Sequence, residues 1–163
     1  MSDPLVRSLG VGRCLEWGAM EARGQSGGIL VFWGNQVLDL IEMEKGAFSI
    51  SCWFKNCEDN FVWMFIGVYG LVLTKERENF WNELSDIRGL WKDTWYVGGG
   101  FNVVRFLEER RNCQRSLASM RRFLEIVEDL ELIVPLTGGS FTWCSGLNNR
   151  LASMVGRFLV YED

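Results

Sequence analysis

Apolar and polar side chains alternate most cleanly over Phe48–Lys55. Phe48, Ile50, Cys52 and Phe54 point one way; Ser49, Ser51, Trp53 and Lys55 point the other. A period of two with one apolar side predicts a half-buried antiparallel strand. Two more strands are predicted before it, Ile29–Trp33 after Gly27-Gly28 and Val37–Met43 after the turn at Gly34-Asn35. Asn56–Asn60 reads as a hairpin loop into Phe61–Tyr69, whose near-continuous apolarity predicts a strand buried on both faces.

The period then changes. Phe80, Leu84 and Ile87 fall at helical spacing and predict an amphipathic helix over Lys75–Ile87, with Thr74 as N-cap and Glu76 beside the positive end of the dipole. A second helix is expected from near Ser116, burying Leu117, Met120, Leu124, Val127 and Leu130, exposing Arg121 and Arg122, and ended by Pro135 and Gly138-Gly139. Asp3, Pro4 and Gly10 have the order of cap, first position and stop for a short opening helix, after which the chain shows no clear period up to Gly24. Trp95–Val104, Ser140–Cys144 and Arg157–Tyr161 complete the predicted strands. Strands outnumber helices, so the expected class is α+β, with a largely antiparallel sheet core and helices outside it.

One stretch stands out chemically. In Trp95–Arg105 an apolar run leads into Gly98–Gly100, followed by Phe101, Asn102 and two valines. The reading is a buried strand ending in a tight turn with one amide, Asn102, at its tip; turns at strand ends are where sites are commonly built. A plain Gly-rich turn with a satisfied Asn102 is the alternative.

Composition narrows the chemistry. The chain of 163 residues is one domain's worth, has a formal charge of −4 and contains no histidine. That excludes His-based acid/base catalysis, Ser-His or Cys-His nucleophiles and His-ligated metals. Cys14, Cys52, Cys57, Cys113 and Cys144 are odd in number and form no CxxC pair, so a reducing, intracellular setting is expected, with nucleus and cytoplasm both open. The opening residues lack the apolar core of a signal peptide, and the uncharged run Phe61–Leu73 is well short of the ~20 residues that span a bilayer. No membrane association, specific oligomer or cofactor is expected from these features.

Charge is locally reversed between Arg105 and Arg122. Six arginines (Arg105, Arg110, Arg111, Arg115, Arg121 and Arg122) against Glu108 and Glu109 give a local net of +4. Such a segment either meets a phosphate backbone or is a solvated helix start balanced by Glu108, Glu109, Glu125 and Glu128. Six phosphate contacts would give a log K against log salt slope of roughly −5 on duplex DNA.

Several stretches, taken in order, resemble one family. Gly27-Gly28-Ile29-Leu30-Val31, Val68-Tyr69-Gly70, Phe80-Trp81-Asn82-Glu83-Leu84, Gly98–Arg105, Pro135–Trp143 and Arg157-Phe158-Leu159-Val160 are similar to the endonuclease/exonuclease/phosphatase superfamily, most of all to the endonuclease region of plant LINE-type (non-LTR) retrotransposons. The resemblance covers nearly all of residues 1–163, read as one partial domain. It implies a DNase I-like four-layer α/β sandwich, incomplete at both ends, and an ancestral Mg²⁺-dependent phosphodiesterase that nicks DNA.

The resemblance also implies roles for individual residues. The family's central turn reads Gly-Asp-Phe-Asn; here Asn102 matches the Asn that orients phosphate, and Gly100 takes the place of the Asp that acts on water. Tyr69 matches the tyrosine that contacts the scissile phosphate, with Leu71 in place of a proline. Gly156 stands where an Asp precedes Arg157-Phe158-Leu159, and Trp33-Gly34 replaces Trp-Asp. A metal-binding Glu in the family's first strands and the His of its closing Ser-Asp-His segment have no counterparts in this chain. Phosphodiester cleavage by this route needs a held metal, a base for water and a charge-stabilising group.

The expectation is therefore a degenerate endonuclease domain without activity. A non-catalytic nucleic-acid-binding module using Arg105–Arg122 is the alternative. A third expectation is poor folding, through unpaired apolar edges at Ile29–Trp33 and Phe61–Val68.

Overall fold

The computed structural model describes residues 15–22, 27–70, 74–92, 94–103, 110–111, 117–133, 143–145, 151–153 and 156–161. Ten strands and two helices lie among them. In chain order they are β1 (Leu15–Met20), β2 (Ile29–Gly34), β3 (Leu38–Lys45), β4 (Ser49–Asn56), β5 (Val62–Tyr69), α1 (Thr74–Leu90), β6 (Trp95–Gly100), β7 (Arg110–Arg111), α2 (Leu117–Asp129), β8 (Trp143–Ser145), β9 (Leu151–Ser153) and β10 (Gly156–Tyr161).

A five-stranded sheet in the order β10-β6-β5-β4-β3 is the frame. Its neighbours are antiparallel except β5 and β6, which run parallel. Parallel neighbours need a long crossover, and α1 supplies it. A two-stranded sheet, β1-β2, and a three-stranded one, β7-β9-β8, stand beside this frame.

Both faces of the large sheet are used. On one, Met64, Ile66, Val68, Trp95, Val97 and Leu159 pack against Phe80, Trp81 and Leu84 of α1 and Phe123 and Ile126 of α2. On the other, Ile50, Cys52 and Phe54 meet Met20 of β1 and Ile29, Val31 and Trp33 of β2. Each such large side chain, fully buried, contributes roughly 1.5–3 kcal/mol of transfer free energy. The α+β class and the helix–sheet–sheet layering agree with the expected DNase I-like architecture.

Several details correct the sequence reading. β4 alternates as expected, but its polar side is not left to solvent: Trp53 packs on Trp91, and Ser49 is buried against Glu83 of α1. That carboxylate also accepts from the Ala47 amide at 2.9 Å and the Phe48 amide at 3.2 Å, pinning the β3–β4 turn to the helix. The α2 stripe is rotated. Met120, Phe123, Ile126 and Leu130 are buried, whereas Leu117 and Leu124 are exposed, because Phe123 fills the space beside Trp81 and Phe101.

Helix α2 ends at Asp129, before Pro135, in a Schellman-type cap. The Leu132 amide donates to Val127 and the Glu131 amide to Glu128, with Glu131 at φ 54° in the left-handed position usually held by glycine. The glycines Gly98–Gly100 belong to strand β6 rather than to a turn, and the strand stops there instead of reaching Val104. β5 is paired on both sides and β2 pairs with β1, so the expected unpaired edge at Phe61–Val68 does not exist. β1, β7 and β9 had no clear sequence signal. The expected Asp3–Gly10 helix and the Pro135 and Gly138-Gly139 stop lie outside the described residues.

Candidate functional site

Three of the residues singled out in sequence share one row of the sheet. Tyr69 at the end of β5 stands opposite Gly100 at the end of β6, and Gly100 stands opposite Gly156 at the start of β10. Residues directly opposite in a sheet present their side-chain positions to the same face. A Cβ added at Gly100 would lie 3.8 Å from Tyr69 Cδ2 and Cε2, in ordinary contact with the ring. The same ring rests against Gly27, where a Cβ would come within 2.7 Å of Tyr69 Cε2 and Cζ. Gly27 thus shapes this corner, a role signalled only by its place in Gly27-Gly28 just before β2.

The chain leaving β6 is tied to the chain leaving β5. The Gly70 amide donates to the Gly100 carbonyl, and the Asn102 Nδ2 donates to the Gly70 carbonyl. Asn102 sits at φ 53°, a left-handed conformation that asparagine tolerates better than most residues. No side chain fits at Gly70, whose Cβ would run into the Phe101 backbone. Phe101 itself is buried, with its ring stacked over Trp81 at 6.3 Å and 14°. Aromatic packing therefore fixes the turn from below, and the Asn102 amide is engaged in holding it.

The arginine cluster is not brought together as one surface by the described residues. Arg122 is paired with Glu78 at 3.0 Å and with Glu125 at 3.5 Å, and its hydrogen bond to Glu78 pushes its pKa up. Arg121 is exposed on α2. Arg110 and Arg111 are placed only as backbone in β7, and Arg105 and Arg115 lie outside the described residues. Arg121 and Arg122 do line a cleft of about 390 Å³ with Arg77, Glu78, Trp81 and Glu125, so it carries both basic and acidic groups.

The fold is matched by solved structures. The endonuclease domain of TRAS1, a telomere-specific non-LTR retrotransposon, superposes with a TM-score of 0.69 at 14% identity, over 93% of this chain and 68% of that domain. A 3′ phosphatase from Neisseria, solved with a product DNA hairpin, gives 0.63 at 15% identity, over 98% and 70%. A protein from Bacteroides thetaiotaomicron described as an endonuclease/exonuclease/phosphatase family member gives 0.54 at 16% identity, over 90% and 61%. The fold is that of the endonuclease/exonuclease/phosphatase proteins. No family model and no curated protein matches the chain.

Against the Mg²⁺ that the resemblance implies, the donors among the described residues do not fit. Gly100 and Gly156 bring no side-chain oxygen to the row, and among the described residues no group of three or more His, Cys, Asp or Glu could hold a metal. Oxygen-rich ligation is what Mg²⁺ demands. None of the described helices is long and apolar enough to cross a membrane.

Proposed function

We propose that this chain derives from a metal-dependent DNA-nicking domain and that its phosphodiesterase corner is chemically silent. The observation that carries this reading is the row Tyr69–Gly100–Gly156. Gly100 and Gly156, two of the three glycines at positions where the resemblance expects an aspartate, stand opposite one another beside the tyrosine expected to meet phosphate. Loss of one general acid or base is worth ~10²–10⁴-fold in rate. Loss of a bound metal removes a further share of transition-state charge stabilisation. Support for DNA as the ancestral partner comes from the fold shared with a retrotransposon endonuclease and with a phosphatase solved on a DNA hairpin.

The test is a supercoiled-plasmid nicking assay in Mg²⁺ and in Mn²⁺, with the Tyr69→Phe, Asn102→Ala double variant as baseline. The expected result is identical, background-level nicking by both proteins. Turnover by the unaltered chain above that baseline overturns the proposal. For the alternative, an arginine-based binding module, the described residues show only that Arg122 is paired with Glu78 and Glu125.

A further inference from the structure

On the helix side of the large sheet, a cavity of about 110 Å³ lies between the outermost strand β3 and the end of α1. Register explains its walls. Glu42 stands opposite Trp53, and Glu44 stands opposite Ser51. Met64, opposite Trp53 on β5, is buried beneath them. Trp91, just past α1, closes the far side, its ring at 77° to that of Trp53 with centroids 3.9 Å apart. Two indole rings and two exposed carboxylates thus line one small space. Among the described residues neither carboxylate has an ion pair, and the outer edge of β3 has no strand partner.

We propose that β3 and this cavity take an extended segment of another protein chain that carries a lysine or arginine. The segment's main chain adds to the edge of β3, and its cationic side chain enters the cavity beside the Trp53–Trp91 pair, under Glu42 and Glu44. An unpaired edge is a ready template for strand addition, and a pocket for one side chain gives such pairing its specificity. Cations are drawn to indole faces, and the aliphatic stem of a long basic side chain packs on apolar walls such as Met64. Two carboxylates at the rim select a positive group over a neutral or acidic one, and the net charge of −4 favours the same partner at a distance. The bulge between Leu40 and Glu42 interrupts β3, so Glu42–Lys45 is the part that offers regular pairing.

Binding of a capped Thr-Val-Lys-Val-Thr peptide to the whole chain tests this, read by calorimetry and by tryptophan emission. Saturable binding with an emission change is expected. Acetylation of the peptide lysine should weaken it by roughly fivefold or more, as should the Glu42→Gln, Glu44→Gln double variant. Both glutamates are exposed, so the variant's thermal transition should be unchanged. Methylation of the peptide's backbone amides should weaken binding by a similar factor, because it removes strand pairing. No binding at millimolar peptide, or equal affinity in any one of these three comparisons, overturns the proposal.

Discussion

Gly100 and Gly156 stand opposite one another across the β6–β10 pairing, at the end of the sheet where Tyr69 stands opposite Gly100 from β5. The three glycines of β6 are not equivalent. Gly99 has φ 138° and a missing Cβ that would strike the Val68 carbonyl, so the backbone there admits only glycine. Gly98 leaves room for the Phe158 and Phe65 rings. Gly100 has neither constraint: its Cβ would make an ordinary 3.8 Å contact with Tyr69. The position at which the family resemblance expects a carboxylate is therefore the one glycine of the three that packing does not require.

A stability comparison follows from that difference. Gly100→Ala should leave the fold intact and stabilise it by about 0.4–1 kcal/mol, because glycine in a strand carries an entropic cost that alanine lacks. Gly99→Ala should cost about 2 kcal/mol or more through backbone strain and the clash with Val68. Urea unfolding of the two variants checks this, and equal destabilisation by both would show that the β6 backbone is not as described.

Restoring carboxylates should not restore cleavage. Gly100→Asp has room beside Tyr69, and with Gly156→Asp it would put two acids directly opposite each other. Like charges in directly opposed positions are destabilising. The chain has no histidine, and no other group of metal ligands lies among the described residues to complete a site. Metal-dependent plasmid nicking by this double variant above the unaltered chain would mean that the two carboxylates suffice.

Much of this arrangement is legible in the sequence, for a physical reason. β4 and β5 announce themselves through alternation and continuous apolarity, although the polar side of β4 is itself covered by α1 and Trp91. α1 follows from Phe80, Leu84 and Ile87. The phase of α2 does not, since Leu117, Leu124, Phe123 and Ile126 are equally apolar and only the aromatic stack of Trp81 and Phe101 decides which stripe turns inward. β1 is hidden because Leu15–Met20 is interrupted by Glu16 and Gly18 and is defined by its pairing with β2. The site row is readable as motifs, but the opposition of Gly100 to Gly156, 56 residues further along the chain, is a product of sheet register. The Asn102 amide was also ambiguous in sequence, and its bond to the Gly70 carbonyl gives it a structural task.

Glu83 should matter more for stability than its place on a helix suggests. Its carboxylate accepts from the Ala47 and Phe48 amides and from the buried Ser49 hydroxyl. Glu83→Ala would leave these donors without their acceptor, and an unmet buried polar group costs about 1–3 kcal/mol. The expected loss is about 2–3 kcal/mol, with Glu83→Gln intermediate because one carbonyl oxygen remains. Adding Ser49→Ala to Glu83→Ala should recover part of that loss, since it removes an unsatisfied hydroxyl. Additive losses in this double-mutant cycle would show that the two side chains do not act together.

Cys52 makes stability depend on pH at the alkaline end. It is fully buried between β4 and the β1–β2 layer, and burial pushes its thiol from 9.0 up to about 11. The unfolded chain releases this proton near its ordinary value while the folded chain holds it. Above that value the unfolded state therefore binds fewer protons, and stability falls as pH rises. The contribution should be fully present below pH 9.0 and lost progressively toward pH 11. The informative quantity is the difference from Cys52→Ala, which isolates this thiol. That variant should be less stable at neutral pH by about 1–2 kcal/mol, through lost packing around a small apolar group. The gap between the two proteins should stay constant up to about pH 9 and narrow above it, in urea unfolding run at successive pH values. A gap that holds unchanged to pH 10.5 would mean that the folded chain does not retain the Cys52 proton.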